Sequence, residues 1–159
     1  MDILVKFVKR AKEECSGLEN HFESIEAVQK YFLNLDDVNG NDNFFFLIRK
    51  KRLDVLGSTK NILNDGDNIY FVYEKKIIAK AIFEYLQNEK ITHKGMIHEG
   101  CNIHSEKFKN GYKVKNVLLI ASPFSLKQLT KNPFRNQNSI YFIKEDDIVL
   151  KKELKELFK

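Results

Sequence analysis

The stretch that most limits what this chain can fold into is "DGDNIYFVYEKKIIAKAIFEYL", residues 65–86. Two runs rich in β-branched and aromatic residues, "NIYFVY" and "IIAKAIFEY", flank a short polar "EKK", and this spacing predicts an antiparallel hairpin. The Asp-Gly-Asp ahead of it supplies turn residues that feed the first strand.

Other runs extend the pattern. "FFFLIRK", from residue 44, reads as a buried strand that is apolar on both faces. "YKVKNVLLI" and "SIYFIKED" read as two more strands, whereas "LDVLGSTKNIL" reads as a loop or short helix. Residues 87–111 form a polar, irregular excursion, of the kind that is usually functional or disordered. Residues 2–15 set Ile3, Leu4, Phe7, Val8 and Ala11 on one helical face, which predicts an amphipathic helix ended by Gly17. Ser24 reads as the N-cap of a second helix, "SIEAVQKYFLNL", with Ile25, Val28, Tyr31, Phe32 and Leu35 as its buried stripe. The turn-forming "DDVNGNDN" at 36–43 separates this helical part from the strands. Ser122 and Pro123, cap then first helical position, predict a short helix over "SPFSLKQLTK". "DIVLKKELKELF" predicts a closing amphipathic helix with Leu150, Leu154 and Phe158 inward.

The expected class is α+β, with an N-terminal helical extension over residues 1–40 and a β-barrel domain with a C-terminal helix over 41–159. About five short, mostly antiparallel strands protect their edges best by closing into a small barrel.

Length fits one domain with a small appendage, and an apolar share of 43% argues against wholesale disorder. The net charge of +5 permits a polyanionic partner without requiring one. Cys15 and Cys101 are too few for a disulfide framework, so a reducing cytoplasm is the simpler compartment. The first residues lack the apolar core of a signal peptide, and no run approaches the roughly 18 apolar residues of a membrane span. A soluble, cytoplasmic protein with no membrane partner is the expectation.

Catalytic signals are thin. His98, Cys101 and His104 in "HEGCNIH" lack a fourth metal ligand or a paired motif, and a polar loop is the default reading. Ser58 and Cys101 lack the strand-turn context of an activated nucleophile. Glu145, Asp146 and Asp147, at a strand-to-helix junction, suit N-capping and the helix dipole better than acid/base chemistry. No catalytic residue, metal or cofactor is therefore expected. Cations interleaved with aromatics recur instead, in "FFFLIRKKR", "KFKNGYKVK" and "KNPFRNQN". Lys and Arg neutralise phosphates while Phe and Tyr stack on bases, so these clusters point to nucleic acid. Lys113, Lys131 and Arg135 are the candidate phosphate contacts among them.

The order of these segments carries a resemblance. "FFFLIRK", "LDVLGSTKNI" and "LNDGDNIYFVYEKKIIAKAIF", followed by "GYKVKNVLLIASPFSLKQLTKNPFRNQNSIYFIKEDDIVL", are similar to the EVE and YTH domains of the PUA-like superfamily. The likeness covers about residues 44–150. It implies a small barrel that reads a modified, methylated base in an aromatic-lined pocket. A duplex target would present that base flipped out of the stack. It implies no enzymatic activity, but a DNA-specificity role in a modification-dependent restriction or defence system with an NTPase motor and a nuclease. Position by position, Leu56 stands where the family carries its first cage aromatic, with Ser58 beside it and Asn61 at the rim. Phe108 and Tyr112 fall near the second cage position, and neither is the family's tryptophan. Lys144 and Glu145 align with the basic residue and the acid that follow the late strand. Arg135 lies in the loop corresponding to the family's Asn-Pro-aromatic loop. RNA in place of DNA, a protein-interaction scaffold, and a hydrolase or nuclease remain the other readings.

Overall fold

A computed structural model describes residues 1–7, 24–30, 44–48, 63–87, 95–97, 110–125 and 140–158 of the chain. In chain order the elements are β1 (Ile3–Phe7), α1 (25–30), β2 (Phe44–Ile48), β3 (Asn68–Tyr73), β4 (Lys76–Gln87), β5 (Gly95–Ile97), β6 (Asn110–Ser125), β7 (Ile140–Phe142) and α2 (Ile148–Leu157). The strands form one mixed sheet in the order β5-β2-β6-β4-β3-β1-β7. β1 runs parallel to β3 and β2 parallel to β5, while the remaining neighbours are antiparallel.

The predicted hairpin is β3–β4. Only Glu74 and Lys75 separate the two strands, with φ of 47° and 65°, and Lys76 already belongs to β4. Positive φ at both central residues gives the turn the right-handed twist of its strands. For residues other than Gly that conformation costs roughly 1–2 kcal/mol each, so the strand pairing must hold it. At the other end of the hairpin, Gly66 takes φ +99° and its N–H donates to the Phe83 carbonyl at 2.9 Å.

The leading segment differs from its expected form. Ile3–Phe7 is a strand between β3 and β7, and no part of a helical extension. Its residues alternate between the two faces, Ile3, Val5 and Phe7 on one and Leu4 on the other. A strand buried on both sides is apolar at almost every position, and in so short a run this mimics helical spacing. Tertiary pairing decides the outcome. α1, by contrast, keeps its expected start: the Ala27 N–H donates to Ser24 Oγ at 3.1 Å, and Val28 is fully buried in the core shared with the strands. Both described parts of residues 1–40 are thus built into the same core as the later strands. Tyr31, Phe32 and Leu35 lie outside the described residues.

A second difference is at β6. The strand continues through Ser122 and Pro123 to Ser125, where a helix was expected to begin. Pairing with β4 carries it on, but with a break. Between Ile77↔Phe124 and Ala79↔Leu119, β4 advances two residues while β6 advances five. Pro123 falls in this unpaired stretch, where its missing N–H interrupts no regular ladder bond. Gln29 of α1 closes the gap: its Nε2 donates to the carbonyls of Ile78 at 3.3 Å and Ile120 at 2.8 Å. Asn116, with φ 53°, marks a further bulge in the same strand.

The 87–111 excursion contains strand β5, which pairs with β2. Nor does the sheet close into a barrel. β5 and β7 are its two edges, and among the described residues no ladder joins them. Each edge strand is only three residues long. Short edges present few unpaired backbone groups, which protects an open sheet without closure. The architecture is a small, β-rich α+β domain.

Apolar side chains cover both faces of the sheet. One face carries the larger cluster, including Ile3, Val5, Phe7, Ile69, Phe71, Ala79, Phe83, Tyr112 and Val114, with Val28 of α1 against it. Phe7 and Phe71 stack there at 5.4 Å and 3°. The other face carries Leu4, Tyr70, Val72, Ile77 and Ile143, under Leu150 and Leu154 of α2. α2 therefore buries the side predicted for it. Asp147 occupies its N-cap position without capping it by its side chain, and the first turn holds no acid. The Asp147 carboxylate turns back instead to accept the Lys144 N–H at 2.8 Å and the Tyr141 hydroxyl at 2.7 Å. Among the described residues no helix is long and apolar enough to cross a membrane.

Candidate functional site

α2 packs on Leu4, Tyr70, Val72 and Ile77 of β1, β3 and β4, with Ile120 of β6 beside that cluster. Further along β4 and β6 the face carries polar groups, and the register shows what stands on it. Directly paired residues of neighbouring strands point to the same side. One rung runs Tyr70–Lys80–Leu118 and the next Asn68–Ile82–Lys115, with the pair Tyr85–Lys113 beyond. Leu118 is 58% exposed and Tyr85 46%. Large apolar groups at such exposure, beside lysines on a sheet, offer a surface for flat ligands with negative charge.

The lysines of this face are not equally available. Lys113 is mostly buried and bound to Glu84. Lys115 is more exposed and pairs with Glu84 at 3.6 Å and with Asp65 at 3.8 Å. Such partly exposed pairs are weak and readily exchanged for another anion.

The face runs into a cleft of about 430 Å³ beneath the C-terminal half of α2. Ile143 and Leu154 contribute apolar surface, Asp2, Asn68, Tyr70 and Lys80 come from the sheet side, and Lys151, Lys155 and Phe158 from the helix side. The Asp2 carboxylate accepts the Asn68 backbone N–H at 2.9 Å and its side-chain amide at 3.3–3.4 Å. Tyr70 packs on Phe158 at 5.5 Å. The Lys80 ammonium lies 6.0 Å from the Tyr70 ring centre and 5.4 Å from that of Phe158, a distance at which cation–π attraction holds a lysine stem in place. Burial, and then the nearby Asp2 carboxylate, pushes the Tyr70 hydroxyl up to about 12. Lys151 and Lys155 follow each other by one turn of α2, so their charges stand on the same flank.

The residues expected at the site fare as follows. Leu56, Ser58, Asn61, Phe108, Lys131 and Arg135 lie outside the described residues, as does "HEGCNIH". Tyr112 is a fully buried core residue packed on Phe83 at 6.3 Å, and burial raises its hydroxyl well above its ordinary value. It belongs to the packed core and does not line the cleft under α2. Lys144 and Glu145 are exposed in the turn between β7 and α2, and neither lines the cleft. Lys113 is on the polar sheet face. The cleft residues Asp2, Asn68, Tyr70, Lys80, Lys151 and Lys155 were not expected from the sequence. Alternation along β3 and the i,i+4 spacing of the two helical lysines were readable, but not the β1–β3 pairing that unites them. Among the described residues no group of three His, Cys, Asp or Glu is placed to hold a metal.

No protein-family model matches the chain, and neither a curated protein nor a solved structure matches it.

Proposed function

We propose that this chain is a cytoplasmic nucleic-acid-binding module of the EVE/YTH kind, within the PUA-like superfamily, and that it is not an enzyme. It recognises a methylated base, in DNA in the first instance, as the specificity domain of a modification-dependent defence system with a motor and a nuclease as partners. The observation that carries nucleic-acid binding is the polar sheet face: Tyr85 beside Lys113, and Lys115 one rung from Lys80 and the exposed Leu118. Aromatic and cationic groups on a flat, hydrogen-bonded support hold bases by stacking and the backbone by charge. Base modification rests on the sequence resemblance.

Fluorescence anisotropy of the full chain with labelled oligonucleotides tests this. The strands carry N6-methyladenine, 5-methylcytosine or no modification, in DNA and RNA form. The expected result is binding that weakens steeply with salt and favours one modified strand. Replacing Tyr85 by Ala together with Lys115 by Gln weakens every complex by about tenfold or more, since one stacked base is worth about 1–3 kcal/mol. Absent or equal binding of all strands at low salt would sink the reading.

A further inference from the structure

The cleft under α2 differs from the sheet face in shape and charge. It is concave, and three lysines, Lys80, Lys151 and Lys155, line it with one acidic residue, Asp2. Among the described residues none of these lysines has a carboxylate within 4.0 Å. Asp2 is already occupied by the backbone and side-chain amides of Asn68. Like charges one helical turn apart, as at Lys151 and Lys155, repel and lower helix stability. Three positive charges against one negative in a concave wall focus the field on an anion. Lys80 is held by the two rings it faces, so one of the three charges is fixed in position before a ligand arrives.

From this we infer that the α2 cleft is a phosphomonoester site, separate from the sheet face that takes nucleic-acid strand. A phosphomonoester carries about −1.5 to −2 at neutral pH, against −1 for an internal phosphodiester, and so matches three ammonium groups better. The cleft volume of about 430 Å³ is in the range of small-molecule sites and has room for the attached nucleoside. Asp2, at the same cleft, disfavours a second anion beside it. The shared chemistry is a terminal phosphate, carried either by a free nucleoside monophosphate or by the 5′ end of a strand.

Calorimetric titration of the full chain with AMP and with adenosine at low salt tests the inference. AMP is expected to bind at least tenfold more tightly than adenosine. The double variant Lys151→Gln/Lys155→Gln loses most of that preference, while Lys152→Gln, which alters a neighbouring exposed lysine of α2 outside the cleft lining, keeps it. Circular dichroism verifies that each variant stays folded. Equal affinity for AMP and adenosine, or an AMP affinity indifferent to the double variant, would overturn the site. A paired measurement with 5′-phosphorylated and 5′-hydroxyl forms of one oligonucleotide identifies the source. Tighter binding of the phosphorylated strand assigns a nucleic-acid end, and equal strands with AMP still bound assign a free nucleotide. Binding of the 5′-hydroxyl strand depends on Tyr85 and Lys115 and not on Lys151 and Lys155 of α2, so failure of this site and failure of the nucleic-acid reading appear in different titrations.

Discussion

The two faces of the sheet are built to different rules. The face under α1 is apolar from β1 to β6, and even its polar-tipped residues, Tyr73 and Tyr112, are sealed from water. The face under α2 is closed to water only where the helix packs on it. Beyond it the same strands present Lys80, Glu84, Lys113 and Lys115. One strand therefore serves both ends: in β4, Ala79, Ala81 and Phe83 support the core while Lys80, between them, faces the cleft. Period-two alternation lets a single segment carry stability on one side and ligand chemistry on the other.

The sharpest way to break the contrast is on the apolar face. Phe71→Ala removes a fully buried ring stacked on Phe7. It should cost about 3–5 kcal/mol of unfolding free energy in urea titrations, whereas an exposed substitution on the polar face should stay within about 0.5 kcal/mol. Similar losses on both faces would show that the polar face is also structural.

Next in size is the join between helix and sheet. Gln29→Ala leaves the Ile78 and Ile120 carbonyls without their side-chain donor, at an expected cost of about 1–3 kcal/mol. Amide exchange should quicken around the β4–β6 break. Unchanged exchange there would mean that the gap closes without Gln29.

The smallest effect is a slope in alkali, which compares the faces through their tyrosines. Tyr112 under α1 and Tyr70 under α2 both have hydroxyls raised by burial, Tyr70 to about 12. The unfolded chain releases these protons near pH 10 and the folded chain retains them. Their contribution to stability is therefore complete below about pH 10 and declines as pH rises from there towards the folded values. Each tyrosine adds at most about 1.4 kcal/mol per pH unit in that window. Tyr70→Phe should flatten the decline between pH 10 and 12 by its own share, and an unaltered slope would show that Tyr70 titrates normally.

Local chemistry made part of the fold legible. The hairpin, the Ser24 cap, the strand at 140–142 and the inward face of α2 each depend on neighbours within a few positions, and each stands where its residues place it. β1 and the continuation of β6 depend on pairing partners far along the chain. Helical spacing in "ILVKF" and a Ser-Pro start were locally valid signals that sheet pairing overruled. The cleft was illegible for the same reason. Asp2 and Asn68 lie 66 positions apart, and only the parallel alignment of β1 on β3 brings them together. Tyr112 shows the converse: an aromatic suited to a cage by type, which the register turns into the core.

The position of β1 also has a consequence for biogenesis. Synthesised well ahead of its partners, it pairs with β3 at residues 69–73 and with β7 at 140–142. At about 5–20 residues per second, the second partner leaves the ribosome on the order of 10 s after β1 does. Through that interval a segment whose native burial is nearly complete has an open backbone edge, and the nascent chain is exposed to mispairing with its neighbours. The sheet can be sealed on this side only once β7 has been made.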